Sequence, residues 1–306
     1  MTKSITICAV AVLVLFVVNF ANADDWSTLN MPGADNTYAL GIDGNTVVGF
    51  HNSAADGYIT HGFAYNRNDE SWIGLDYPGV AGAGTGTQII DVDGNSIVGY
   101  CWDSSNAHGV IYNNADANWT VLDYPGATYT YVTGISGDSI VGGYNDESGN
   151  EVGFVYNKNN NSYIPFNLPD ATYTIPYAID GNNIVGIYQD SSCNWHGFIY
   201  DGVESTNLDL PGVSVMQPCG ISGDNVVGYY VDDDFIDYGF CYNITDESWT
   251  LLNMPGACDT FPNGIDGVII VGYFGDPEGF IYTIPEPATL TLLSFGVLVL
   301  HRRKNK

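Results

Sequence analysis

The chain has 306 residues, with 35 Asp and Glu against seven Lys and Arg, a formal net charge of −28. Residues 24–284 hold 34 of the acidic residues and only two basic ones, Arg67 and Lys158, a balance of −32. Such a field repels phosphate and anionic lipid, which excludes nucleic acid as a partner; it favours solubility and gathers cations, while the compact state bears self-repulsion.

The N-terminal segment carries Lys3, an apolar run from Ile5 to Val18, and Ala21-Asn22-Ala23 before Asp24. This is the pattern of a secretory signal peptide over residues 1–23, because the run is too short for the ~30 Å of a bilayer core and small residues mark the cleavage site. A retained membrane helix is the alternative. Export permits disulfides, but the mature chain keeps five cysteines, Cys101, Cys193, Cys219, Cys241 and Cys258, an odd number without C-x-x-C spacing. Most read as core thiols rather than a disulfide framework or zinc site. Cys219 with Cys258 is the most plausible pair, since both lie near the same kind of strand in adjacent repeats.

From Trp26 onward one unit recurs. A Leu-Asp-Tyr-Pro-Gly phrase or close variant stands at Leu29 to Gly33, Leu75 to Gly79, Leu122 to Gly126, Phe166 to Asp170, Leu208 to Gly212 and Leu252 to Gly256. Between the copies lie three further β-like runs. Thr-Tyr-x-x-Gly-Ile comes first, as in Thr37 to Ile42. Ile-Val-Gly follows, as in Ile97 to Gly99, and Gly-Phe-x-Tyr is third, as in Gly62 to Tyr65. Asp-Gly-Asn or Ser-Gly-Asp joins the first two runs and supplies the positive φ of a tight hairpin. Proline ends the fourth run because it has no ladder donor.

Spacings between the third-run glycines are 47, 44, 44, 42 and 40 residues, the blade length of a propeller. The array opens on a lone fourth run, Trp26 to Gly33, and stops after a third run, Gly279 to Tyr282. Pairing those two ends removes the exposed edge that an open array would leave. The expected fold over residues 24–283 is therefore all-β, a six-bladed β-propeller closed by its N-terminal strand; an open β-repeat array is the alternative.

The C-terminal segment, residues 284–306, reads Pro285-Glu286-Pro287, a short apolar stretch from Thr289 to Leu300, then His301-Arg302-Arg303-Lys304. It resembles the PEP-CTERM sorting signal of bacterial exported proteins. That resemblance implies transient membrane anchoring, processing near Pro285, Glu286 and Pro287 by an exosortase-type enzyme, and delivery to the cell surface; an uncleaved anchor is the alternative. The repeats resemble the HAF-type extracellular repeat family, through Ile-Val-Gly, the His-Gly pairs that begin at His61, His108 and His196, and Pro-Gly-Ala-x-x-Thr. That resemblance implies an extracellular repeat protein and carries over no catalytic residue.

Candidate site residues are few. Asp103, Asp146, Asp190, Asp232 and Asp276 each lie four residues after the Gly of Ile-Val-Gly, with Ser53 in the first unit. They read either as caps of their own turns or, with Glu147, Asp233, Asp234 and Asp237, as a rim able to gather Ca²⁺. Trp102 and Trp195 stand in the second-to-third-run connections as candidates for stacking on sugar. The three His occupy one repeat position on separate blades, which spreads them apart and favours a structural role; His51 reads as a packing substitute for Tyr. Trp26, Trp72, Trp119 and Trp249 share a fourth-run position expected to pack between blades.

No nucleophile elbow, phosphate loop or cofactor signature stands out, and no cofactor is expected beyond Ca²⁺. The leading expectation is a non-enzymatic, surface-sorted binding or structural module of the extracellular matrix, with exopolysaccharide or a surface protein as partner. The alternative is a polysaccharide-processing or metal-dependent hydrolytic enzyme using the axial pocket.

Overall fold

A computed structural model describes residues 19–20, 25–80, 85–103, 106–210, 213, 215–232 and 234–285. Most of the signal-peptide segment lies outside these residues, as do Asp233, Glu286, Pro287 and the rest of the sorting segment.

Two strands precede the first repeat, β1 (Asn19–Phe20) and β2 (Trp26–Leu29). Blade 1 comprises β3 (Asn36–Asp43), β4 (Thr46–Asn52), β5 (His61–Asn66) and β6 (Ser71–Gly74). Blade 2 comprises β7 (Gly86–Asp93), β8 (Ser96–Trp102), β9 (Ala107–Asn113) and β10 (Asn118–Leu122). Blade 3 comprises β11 (Thr130–Ser136), β12 (Ser139–Asn145), β13 (Glu151–Asn157) and β14 (Ser162–Phe166). Blade 4 comprises β15 (Tyr173–Asp180), β16 (Asn183–Gln189), β17 (Trp195–Tyr200) and β18 (Ser205–Leu208). Blade 5 comprises β19 (Val215–Ser222), β20 (Asn225–Val231), β21 (Asp237–Asn243) and β22 (Ser248–Leu252), with β1 parallel to its outer edge. Blade 6 comprises β23 (Thr260–Asp266), β24 (Ile269–Phe274) and β25 (Glu278–Thr283), and β2 completes it.

The six antiparallel sheets form a ring, with β3, β7, β11, β15, β19 and β23 neighbouring one another around the axis. The closure expected from the ends of the array is present: Trp26 lies opposite Tyr282 and Leu29 opposite Gly279. The fold is thus a six-bladed β-propeller. Its two faces differ. Hairpins between first and second strands mark a turn face, whereas second-to-third connections and Pro-Gly segments mark a loop face.

Ile-Val-Gly builds the core by period-2 alternation. Its two apolar side chains leave opposite faces of the blade and enter different inter-blade clusters: Ile97 packs with Val48 and Ile89, Val98 with Val132 and Ile140. Ile140 and Val141, Ile184 and Val185, and Ile270 and Val271 divide in the same way. One cluster therefore fills each of the six interfaces, and each fully buried Ile or Val contributes about 1.5–3 kcal/mol. The third residue is Gly because the inner strand passes over it. A Cβ on Gly99 would lie 2.0 Å from the Gln88 carbonyl oxygen, and on Gly142 2.2 Å from that of Tyr131.

The Trp of the fourth strand rests on the Tyr of the third, as in Trp72–Tyr65 and Trp249–Tyr242, each 4.6 Å between centroids. These rings then border the inter-blade clusters, as expected. The Thr that begins the first run pins the preceding Pro-Gly segment: buried Thr37, Thr130 and Thr260 accept the amides of Met31, Tyr124 and Met254 at 3.0 Å.

Blades are also tied at the turn face. The last residue of each inner strand, Asp or Ser, accepts a hydrogen bond from the turn Gly of a neighbouring blade. Asp43 takes the Gly94 amide at 2.7 Å, Asp93 that of Gly137, and Ser136 that of Gly181 at 3.0 Å. Asp180 takes Gly223 at 2.7 Å, Ser222 takes Gly267 at 3.0 Å, and Asp266 returns to Gly44 at 2.8 Å. The cycle closes on itself.

Candidate functional site

Every inner strand carries one β-bulge, where pairing skips a residue: between Ala39 and Gly41, Ile89 and Asp91, Val132 and Gly134, Pro176 and Ala178, Pro218 and Gly220, and Pro262 and Gly264. A bulge re-aims the unpaired side chain. The six skipped residues, Leu40, Ile90, Thr133, Tyr177, Cys219 and Asn263, all line an axial cavity of about 290 Å³. They differ from one another, although the packing positions around them repeat. Tyr100, Tyr131, Glu151, Ile175 and Gln217 extend the wall toward the loop face, and Ile179, Ile221 and Ile265 toward the turn face.

Asp91 also reaches the cavity, at a position held by Gly in four blades and by Ala178 in the other. Burial pushes its carboxyl up to about 7, although Oδ1 accepts the Val92 amide and Oδ2 the Ile135 amide of blade 3, both at 2.9 Å. Burial likewise raises Glu151, whose carboxylate has no side-chain or backbone donor among the described residues. The Tyr100 hydroxyl donates to Gln88 Oε1, and burial pushes it up to about 12. Tyr131 lines the cavity with its hydroxyl buried and unpartnered. Burial pushes the Cys219 thiol up to about 12, so it is no nucleophile at neutral pH. The Thr133 hydroxyl donates to the Pro176 carbonyl at 2.7 Å, and Asn263 Nδ2 to that of Phe261 at 2.7 Å.

A continuous run of rings covers blades 1, 6 and 5: Phe50 on Tyr38 at 4.3 Å, Tyr38 against Tyr273 at 5.0 Å, Tyr273 on Phe261 at 4.8 Å, and Phe261 against Tyr229 at 5.0 Å. Blade 3 breaks the pattern with Gly143, where the ring of Tyr131 lies. The cavity is therefore asymmetric in a nearly symmetric scaffold.

The residues singled out in the sequence lie elsewhere, one set per blade on the loop face. Asp146 Oδ1 accepts the Ser148 and Asn150 amides at 2.8 Å, and Asp190 those of Ser192 and Asn194 at 2.8 and 2.9 Å. Asp232 holds Asp234 and Ile236 in the same way, and Asp103 takes the Asn106 amide at 2.8 Å. Those bonds from Asn194 and its neighbours hold the Asp190 carboxyl at about 2. Asp276 is the middle residue of the short turn between β24 and β25. Trp102 ends β8 near Tyr100, and Trp195 begins β17 beside Tyr173; both are half-buried. Among the described residues, no group of three or more His, Cys, Asp or Glu converges where it could hold a metal ion.

The three His pair with the Asp of the Pro-Gly phrase in their own blades: His61 with Asp76 at 2.8 Å, His108 with Asp123 at 2.9 Å and His196 with Asp209 at 3.0 Å. His51 stacks on His61 as Tyr188 stacks on His196. The suggested Cys219–Cys258 pairing is not formed: both thiols are free, because the bulge turns Cys219 toward the axis whereas Cys258 is exposed. Pro285 is exposed at the end of the described chain. No described helix is long and apolar enough to cross a membrane.

The six bulge positions escaped sequence reading. Their repeat carries a variable residue there, and only the Gly that follows the bulge in four of the six blades hinted at close packing.

No protein-family model matches the chain, and no curated protein matches it. Solved structures share its fold at low identity. TolB from Acinetobacter baumannii aligns with a TM-score of 0.54 and 13% identity, covering 70% of this chain and 52% of that one. The chain thus spans about half the length of TolB. The SapL1 lectin in complex with alpha methyl fucoside aligns at 0.51 and 15%, covering 79% and 88%. A mutant of AofleA from Arthrobotrys oligospora aligns at 0.52 and 12%, covering 81% and 82%.

Proposed function

We propose that the protein is an exported, surface-sorted binding module of the extracellular matrix that holds one saccharide unit of a polymer in its axial cavity. The observation that carries this is the break in repetition. Six equivalent bulges present six different side chains to one space, while the interfaces around it stay nearly uniform. About 290 Å³ lies at the lower end of ligand pockets, which suits a single ring. Tyrosine faces, amides and carboxylates are the groups that stack on and hydrogen-bond to a sugar. A lectin with a bound methyl fucoside is among the proteins of similar fold, which supports this use of the scaffold. Export and sorting rest on the PEP-CTERM and HAF-type resemblances.

The reading as a polysaccharide-processing enzyme draws less support, because the Asp91 oxygens are taken by two backbone amides, which leaves Glu151 as the carboxylate free to act in the cavity. Calorimetric titration with a panel of monosaccharides tests the binding reading. Saturable heat that Tyr177→Ala weakens supports it, and an isotherm without heat for every sugar contradicts it.

A further inference from the structure

Resting on the axial cavity as the binding site, we infer that its ligand carries a protonated amine, and that the class it fits is an amino sugar, with Glu151 as the counter-charge. Glu151 is half-buried at the start of β13 and faces the cavity with no described donor on its carboxylate. Its oxygens are half-sheltered and still meet solvent, so a ligand that fills the cavity displaces that water and must bring a cation in its place, gaining a charge-assisted contact.

No Lys or Arg lines the cavity to do this from within the chain. The two bases of the body are engaged at the turn side of the blades, Arg67 with the Gly44 carbonyl at 3.4 Å and Lys158 with the Ser96 hydroxyl at 3.1 Å. Asp91 adds a second acidic group to the wall. Tyr100, Tyr131 and Tyr177 surround the space, and their faces attract an organic cation through the ring quadrupole. Neutral sugars satisfy the stacking surfaces but leave Glu151 uncompensated. Anionic sugars meet carboxylates on a strongly acidic body. An amino sugar answers the aromatic faces and the unpaired carboxylate together.

The test is calorimetric titration of the full chain with D-glucosamine hydrochloride, D-glucose and N-acetyl-D-glucosamine at one pH and ionic strength. Glucosamine is expected to bind about tenfold more tightly than either neutral sugar, the order of one charge-assisted contact. Glu151→Gln should erase that preference, whereas Glu204→Gln, which removes the same charge from an exposed loop, should keep it. Near-ultraviolet circular dichroism confirms that both variants are folded. Equal affinity for all three sugars, or equal loss in both variants, overturns the amine assignment and leaves the saccharide module standing. Binding of none of the three by the unaltered chain overturns the saccharide reading itself.

Discussion

The Asp266 carboxylate accepts the amide of Gly44 at 2.8 Å, across 222 positions of sequence. This bond completes a cycle in which each inner strand holds the turn of a neighbouring blade. It also joins the last repeat to the first at the axis, while β2 joins them at the rim.

The cycle makes a prediction with an internal control. Two blades use Ser where four use Asp, and Ser222 holds Gly267 at 3.0 Å. Asp266→Ala should therefore cost about 1 kcal/mol or more in denaturant unfolding, the value of one such bond, while Asp266→Ser should recover most of it. Equal loss in both variants would show that the carboxylate acts by charge and not by accepting the turn amide.

The Gly of Ile-Val-Gly should tolerate no side chain. Gly142→Ala places a methyl 2.2 Å from the Tyr131 carbonyl oxygen, so the inner strand must move away and the bulge beside the cavity with it. We expect a loss of about 3 kcal/mol. Gly126→Ala, at a turn with open space around it, should cost only its backbone strain at φ 85°. A thermal melt of both variants ranks the two.

Stability should fall as pH rises through neutrality. Burial opposes charge on His61 and His196, but their Asp partners outweigh it and raise both rings above the ordinary value. Their contribution is complete below the unfolded value of about 6.5 and is lost as pH rises through the folded ones. Asp91 acts in the same direction but in an earlier window: with its carboxyl at about 7 in the fold and about 3.9 unfolded, the cost of ionising it builds up from about pH 4 and is complete above about pH 7. Asp190, at about 2, acts oppositely, and its contribution is lost only as pH falls from about 4 toward 2. Urea midpoints should be highest near pH 4 and decline from there through neutrality, and Asp91→Ala should flatten the part of the decline between about pH 4 and 7. A midpoint that rises from pH 5 to 8 would contradict these assignments.

Fold and closure were legible because both are written as repetition. Ile-Val-Gly alternates across two interfaces, the Pro of each phrase stops a strand, and the lone run at Trp26 lacks a partner until the last blade supplies one. The inter-blade cycle was not legible: Asp43-Gly44-Asn45 reads as a local hairpin, and nothing in the tripeptide says that Asp43 faces Gly94 of the following unit. The cavity was hidden for the opposite reason. Leu40, Thr133 and Asn263 share no property, so no pattern marks them, and only the bulge geometry brings them together. Trp102 and Trp195 drew notice by residue type, yet lie outside the cavity lining.

Closure is the relation on which blade faces, bulges and cavity all depend, and amide hydrogen exchange reads it directly. The Ser27 and Thr28 segment, opposite Ile281 and Phe280, should exchange as slowly as the partner strand β25 and be released together with it in a single opening event. Exchange of residues 26–29 at the rate of unstructured chain, with β25 still protected, would contradict the closed ring.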